Sequence, residues 1–350
     1  MLNRYRSLVA VSAVSVALAG GSFCQTSDFD RAMVLFRKQN WPEAASAFAA
    51  LEKQQPGQTD ALLYQAKCLV NLGRFSDAGT ALESYLSTHP RSDDAVYLLG
   101  YVRFRENRPK ESLQRFTDGA KLRTPTADDL KIVSLDYVLL NDYADAGHYL
   151  EMALEMDPNN IEARYHLGRV RYQQNRFDEA IAAFQEVLKR DALNLKAENN
   201  LGLSLEAVNR TEPAIAAYHK AIELDESSLV HSEQPYLNLG MLLAKLNQPA
   251  AALIPLQQAA QIAPKSSQVR YELAKTLFSL HRDQESQQEV EEAVRLNPKD
   301  PPSHYLLGQI YRSLGKADLA TQEFKLTEDL MRSPGANSRG AEAPGDPGQK

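Results

Sequence analysis

Apolar positions in residues 161–194 (IEARYHLGRVRYQQNRFDEAIAAFQEVLKRDALN) return at helical spacing in two successive runs. Leu167 and Gly168 fall midway along the first run, Asn175 ends it, and Phe177 opens a second run that carries Ala180, Phe184 and Val187. The pattern predicts two amphipathic helices joined by a turn. Shifting the frame by 34 residues in either direction brings the same pattern back. A period of that length is the mark of a stacked array in which each unit buries its apolar face only against its neighbours.

With Ile161 as position 1, six units tile residues 25–228 and three more tile residues 233–334. The four residues Leu229–Ser232 break the frame between them. Position 8 is small in nearly every unit (Ala32, Ala66, Gly100, Gly168, Gly202, Gly240, Ala274, Gly308), with Ser134 the exception in unit four. Position 20 is Ala44, Ala78, Ala146, Ala180, Ala214, Ala252 and Ala320 in seven units, and position 24 is large, from Phe48 to Phe324. Small residues let two helices approach, and large ones fill the gap that remains. Gly73, Asn107, Asn141, Asn175, Asn209, Asn247 and Gly315 share position 15, where a left-handed residue would end the first helix. Pro56, Pro90, Pro158, Pro264 and Pro298 at position 32 are expected to stop the second helix. Units three, five and six lack that proline (Thr124, Ala192, Glu226). Helices of roughly 12–14 residues are marginal alone in water, so stacking must supply their stability.

Period, helix length and small/large alternation together resemble the tetratricopeptide repeat family, over residues 25–334. The resemblance implies an all-α solenoid, a right-handed superhelix of helix–turn–helix repeats, whose first helices line a concave face. Positions 2, 5, 6, 9, 12 and 13 would then face a groove that takes a protein or peptide ligand. The candidates read off on that basis are Tyr97, Tyr101, Lys131, Tyr165, Arg169, Asn199, Asn200, Asn238, Tyr271, Lys275 and Tyr305, with Tyr172, Met241, Phe278 and Gln309 on the same positions. Tyrosine offers rigid area with one polar tip, and an asparagine amide can both donate to and accept from a peptide unit. Asn200 and Asn238, both at position 6, resemble the asparagine ladder that some arrays of this family use to hold peptide backbone. The lysine-plus-asparagine clamp for carboxylate tails is not matched, because Leu135 follows Lys131 and Leu203 follows Asn199. Arg169 is expected to pair with a ligand carboxylate, and the strip from Tyr165 to Asn238 is expected to converge.

Composition narrows the class without naming a partner. The net charge of −6 argues against nucleic acid as a ligand, because phosphate binding needs a basic face. Seven histidines are scattered among the units, with neither His-Glu-x-x-His nor Cys-x-x-Cys, so no metal, cofactor or catalytic residue is expected. Gly202-Leu203-Ser204-Leu205-Glu206 fails the nucleophile-elbow pattern at its last residue. Cys68 lies among apolar residues and reads as a buried thiol.

The ends of the sequence carry their own expectations. Arg4 and Arg6, the apolar run Leu8–Ala19 and the small residues Ala17 and Ala19 have the order of an export signal over residues 1–19. The chain is therefore expected to be periplasmic or secreted, with no membrane-spanning segment after cleavage. Cys24 suggests a lipid anchor as an alternative, although Phe23 stands where that signal wants a small residue. Residues 335–350 are poor in large apolar side chains and read as a disordered tail. Unit nine lacks a polar closing helix, so Leu326, Leu330 and Met331 are expected to be partly exposed and open to self-association. A binding scaffold for extended segments of envelope proteins is the function expected. The alternative is a structural subunit or assembly factor of an outer-membrane, pilus or secretion complex.

Overall fold

The computed structural model describes residues 27–57 and 60–332. Over those residues the chain is helical and without strands. The first helix pairs are α1 (Asp28–Arg37) with α2 (Trp41–Gln54), α3 (Ala61–Asn71) with α4 (Phe75–Thr88), and α5 (Asp93–Arg105) with α6 (Pro109–Ala120). Next come α7 (Ala127–Leu139) with α8 (Tyr143–Met156), α9 (Ile161–Gln173) with α10 (Phe177–Arg190), and α11 (Leu195–Ala207) with α12 (Thr211–Glu226). The last are α13 (Gln234–Lys245) with α14 (Pro249–Ile262), α15 (Ser267–Ser279) with α16 (Asp283–Leu296), and α17 (Pro301–Ser313) with α18 (Ala317–Arg332). These are the helix pairs that the 34-residue period predicts. The chain divides into two compact units, Met1–Val170 and Arg171–Lys350, with the division inside α9. The expected export signal and tail lie outside the described residues.

The same chemistry starts most first helices. Position 34 of the preceding unit supplies a side-chain cap: Ser92, Thr126, Asn160, Asn194, Ser266 and Asp300 each accept from the backbone N–H three residues on. Such a cap satisfies one of the donors that a helix start leaves open. Position 15 ends every first helix with positive φ. The five asparagines and Gly73 and Gly315 do so as expected, and Gln39 and His281 adopt the same conformation at φ 57° and 56°. In each pair the N–H of position 16 reaches back to the carbonyl of position 11, as Arg108 to Arg103 at 2.9 Å and Lys316 to Tyr311 at 2.8 Å. That bond closes the helix end whatever side chain stands at position 15. Proline matters less than expected at the other end. α10 stops at Arg190 although Ala192 replaces the proline, whereas α12, with Glu226 in that place, runs on to Glu226 itself.

Close approach of the two helices of a pair depends on position 8. A Cβ built on Gly202 would lie 2.5 Å from the Tyr218 ring, and one on Gly308 2.6 Å from Phe324. On Gly240 it would overlap Leu256. Each of these large residues is at position 24 of its own unit, and Tyr218 and Leu256 are fully buried. Between pairs, position 28 carries the contact onward: Val294 of α16 packs against the cluster that holds Leu306, Leu307 and Ile310 of α17. Position 21 does likewise, since a Cβ on Gly79 would meet Val102 and Arg103 of the next first helix.

The insertion at 229–232 leaves the second unit continuous. α12 gains length, Ser228 no longer caps a helix, and α13 starts with no side-chain cap. Asp225, wholly buried, takes over the organisation of the loop. Its carboxylate accepts from Ser232 N at 2.7 Å and Tyr236 OH at 3.3 Å, with His231 Nδ1 at 3.1 Å.

Candidate peptide groove

Spacing placed eleven side chains on the inner face of the first helices, and the structure separates them by depth. In the first compact unit, Tyr97, Tyr101 and Lys131 are core residues and not groove residues. Tyr97 is 2% exposed; its OH donates to Arg123 O at 2.9 Å, and the Arg123 guanidinium lies 3.8 Å from the ring centroid. Gly119 makes the room, since a Cβ there would lie 2.8 Å from the Tyr97 ring. Tyr101 is 3% exposed and accepts from Arg105 Nη1 at 2.9 Å. Lys131 Nζ is held between Asp128 at 3.1 Å and Glu162 at 2.6 Å. At position 5, Lys131 is covered from the next first helix by Glu162, and Tyr97 from its own pair by Gly119 and Arg123. Tyr165 and Arg169 remain half-buried on α9, with the guanidinium 6.0 Å from the tyrosine ring centroid.

In the second unit the asparagines do not form a ladder. Asn199 is buried at 6% exposure, and its Oδ1 accepts from Asn238 Nδ2 at 2.9 Å across the insertion. Asn200 Nδ2 turns back to donate to Lys196 O, one turn earlier in its own helix, at 2.7 Å. Of the three, Asn238 lines the cavity on α11, α13 and α15. Tyr271 is half-buried with Lys275 Nζ 5.8 Å from its ring centroid, and Tyr305 is half exposed at the last described pair.

That cavity, about 680 Å³, opens on α11, α13 and α15. Leu203, Met241, Ala207 and Ala244 give it apolar lining, to which Tyr172 adds a phenol and Asn209 and Asn238 add amides. Two ion pairs border it. Lys245 Nζ lies 3.1 Å from Glu206, and Lys275 Nζ lies 3.3 Å from Glu272. In both, the carboxylate is the sunken partner and the ammonium the exposed one, at 23% against 68% and 11% against 54%. Beneath them the buried Tyr218 OH donates to Glu206 at 3.3 Å. Burial, and then the Glu206 charge, raise the Tyr172 phenol above its ordinary value, so it stays a neutral donor. Glu206, Lys245 and Glu272 were not singled out from sequence, yet they occupy positions 12, 13 and 6 of the inward pattern.

The arrangement suits recognition by shape and hydrogen bonding. Among the described residues no group of three or more His, Cys, Asp or Glu could hold a metal ion. No described helix is long and apolar enough to cross a membrane.

Known proteins share the pattern. Tetratricopeptide repeat profiles match residues 29–87 and 65–120, 137–198 and 243–310, and 196–228 and 301–326. Anaphase-promoting complex subunit 3 of Schizosaccharomyces pombe is 29% identical over 92 residues, which are 26% of this chain and 14% of that protein. Among solved structures, the APC/C hetero-tetramer Cut9–Hcn1 superposes with a TM-score of 0.58 at 15% identity, covering 81% of this chain and 55% of that one. A tetratricopeptide repeat protein from Parabacteroides merdae gives 0.57 at 15% identity, covering 77% and 98%. The C-terminal part of a repeat protein from Cytophaga hutchinsonii gives 0.56 at 17%, covering 70% and 99%. The chain thus spans about a seventh of its curated relative and about half of the first structural one, and at these identities the structures speak to fold alone. Profiles that recur along the chain, on eighteen helices among the described residues paired as the 34-residue period requires, place it in the tetratricopeptide repeat family.

Proposed function

We propose that the chain is a non-catalytic scaffold that holds an extended peptide segment of a partner protein in the cavity on α11, α13 and α15. The reading rests on one observation: Met241 and Leu203 give apolar lining bordered by two ion pairs, with an asparagine whose orientation is fixed. Asn199 occupies one donor of the Asn238 amide and leaves the rest of that amide for a peptide unit. Met241 adapts to an apolar side chain of varied shape. The ligand exchanges partners with ammonium groups that are already exposed, so little charge must be newly desolvated. The export pattern of residues 1–19 supports a periplasmic or secreted setting and a partner in the cell envelope.

Photo-crosslinking from position 241, followed by sequencing of the crosslinked peptide and titration of that synthetic peptide, tests the reading. Met241→Glu places a charge in the apolar lining and is expected to weaken the peptide at least about tenfold, or about 1.4 kcal/mol. An unchanged affinity would remove the cavity as the site. A second reading, a structural subunit of a larger assembly, is favoured by the name of the curated relative, a subunit of a multi-subunit complex. It predicts that Met241→Glu leaves partner recovery intact.

A further inference from the structure

Position 4 of the first helices is apolar in units two to four (Leu62, Val96, Leu130), but is Arg164, Arg270 and His304 in units five, eight and nine. These three side chains share one contact. Arg164 Nη2 donates to Pro158 O at 2.8 Å, Arg270 Nε donates to Pro264 O at 3.2 Å, and His304 Nε2 lies 3.0 Å from Pro298 O. Each carbonyl belongs to position 32, in the turn that leads into the helix. Position 23 of the second helix is glutamate in units eight and nine and in no other. Arg270 Nη1 donates to Glu289 at 2.6 Å, and His304 Nδ1 lies 2.7 Å from Glu323 Oε2. Unit nine therefore repeats the clamp of unit eight with a histidine in place of the arginine.

The exchange matters because a guanidinium is always charged and donates from several nitrogens, whereas a neutral imidazole has a single N–H. His304 is 3% exposed, and both of its ring nitrogens face acceptors. A neutral ring that donates to Pro298 O would turn the lone pair of Nδ1 toward the Glu323 carboxylate. With Glu323 ionised, the imidazolium alone donates to both, as the guanidinium does one unit earlier. Charged groups on the surrounding elements have partners of their own. Asp300 in the turn accepts from Ser303 N and Oγ. On α16, Glu291 accepts from Tyr311 OH and Glu292 holds Arg295. On α15, Arg270 is paired with Glu289 and Lys275 with Glu272. On α18, Asp318 and Lys325 are exposed, and Glu323 is the carboxylate that meets the ring.

We propose that His304 is a proton-operated latch: as the imidazolium it ties α18 to the turn before α17, and loss of that proton loosens the last helix pair. The two acceptors favour the protonated ring in the folded pair. The stability of this pair therefore falls as pH rises through the range in which histidine releases its proton. Unit eight, clamped by Arg270, has no such dependence.

Hydrogen exchange of the full chain at about pH 5 and about pH 8, resolved by peptide and corrected for intrinsic rates, is the test. Protection in α18 is expected to fall at least about tenfold over that range, the factor set by losing one hydrogen bond to a charged group. Protection in α14, which carries no ionisable side chain, should stay level. His304→Arg copies the clamp of unit eight and should hold α18 at its acidic protection throughout. Glu323→Gln should also flatten the dependence, because an amide accepts from the charged ring and donates to the neutral one. Should His304→Arg fail to fold, Glu323→Gln carries the comparison. Level protection in wild-type α18, an equal fall in α14, or a dependence that persists in either folded variant would overturn the proposal.

Discussion

The carboxylate of Asp136 on α7 lies with Oδ2 2.5 Å from Ser112 Oγ on α6, and Ser112 Oγ is in turn 2.9 Å from the Gly100 carbonyl. One hydroxyl proton cannot serve two acceptors. A protonated Asp136 resolves the geometry, donating to Ser112, which donates to Gly100. Asp136 is wholly buried and its Oδ1 has no partner. Burial pushes this carboxyl up to about 8, against the hydrogen bond from Ser112 that would favour the charged form. Between about pH 4 and pH 8 the unfolded chain has lost this proton and the folded chain has kept it. The native state then binds more protons, so this group removes stability as pH rises through that window.

Asp136→Asn keeps the donor and cannot ionise. The first compact unit is expected to gain stability at pH 8, on the order of a few kcal/mol, with the gain shrinking toward zero near pH 4. Thermal melts of both proteins at pH 4, 6 and 8 check this. A gain independent of pH would mean that Asp136 is ionised in the fold.

Asn238 and Asn199 make the next case. Replacing Asn238 by Ala strips the donor from Asn199 Oδ1, which is buried. The expected cost is about 1–3 kcal/mol in a urea melt, because the oxygen stays desolvated. Asn200→Ala should leave peptide affinity unchanged, since its amide bonds within α11 and does not line the cavity. Equal effects of the two substitutions on binding would revive the ladder.

What could be read before the fold was known was local. Helix ends at position 15 depend on one residue and its own turn, so Asn107 is legible by itself; the caps at position 34, such as Thr126, are as local and were passed over. Gln39 and His281 escaped because the backbone bond between positions 16 and 11, and not the side chain, fixes that turn. Depth was illegible where it depended on a neighbour. Tyr97 sinks because Gly119 lacks a Cβ, and Lys131 is covered because Glu162 stands on the next helix. Spacing gives the face of a helix, and the adjoining helix decides how much of that face stays open. Asp136 was legible and overlooked: position 10 is otherwise Val34, Cys68, Val102, Val170, Ser204, Leu242, Thr276 and Ile310, with no other charge.

Cys68 at that same position is buried, as its apolar neighbours imply, and burial pushes its thiol up to about 12. At pH 8 only roughly one molecule in ten thousand would carry the thiolate. In a Cys24→Ser chain, an aromatic disulfide reagent should therefore report almost no reactive thiol in buffer and one equivalent in denaturant. Rapid native labelling would show that α3 opens far more often than its packing implies.

The last expectation concerns how far a disturbance travels. Within each compact unit the helix pairs pack on their neighbours in sequence, so a disturbance in the last pair reaches the first pair only by passing from pair to pair. Trp41, the single tryptophan, packs edge-on against Phe36 at 5.3 Å and reports on the first pair. Gly308→Ala places a Cβ 2.6 Å from Phe324 in the last pair, an overpacking expected to cost about 1–3 kcal/mol there. A two-state chain would move both probes together. Local coupling predicts that Gly308→Ala lowers the urea midpoint of part of the far-ultraviolet circular dichroism signal while the Trp41 fluorescence midpoint stays within about 0.1 M of wild type, a shift far smaller than 1 kcal/mol gives at ordinary denaturant slopes. Coincident shifts of both signals would show that the nine pairs unfold as one.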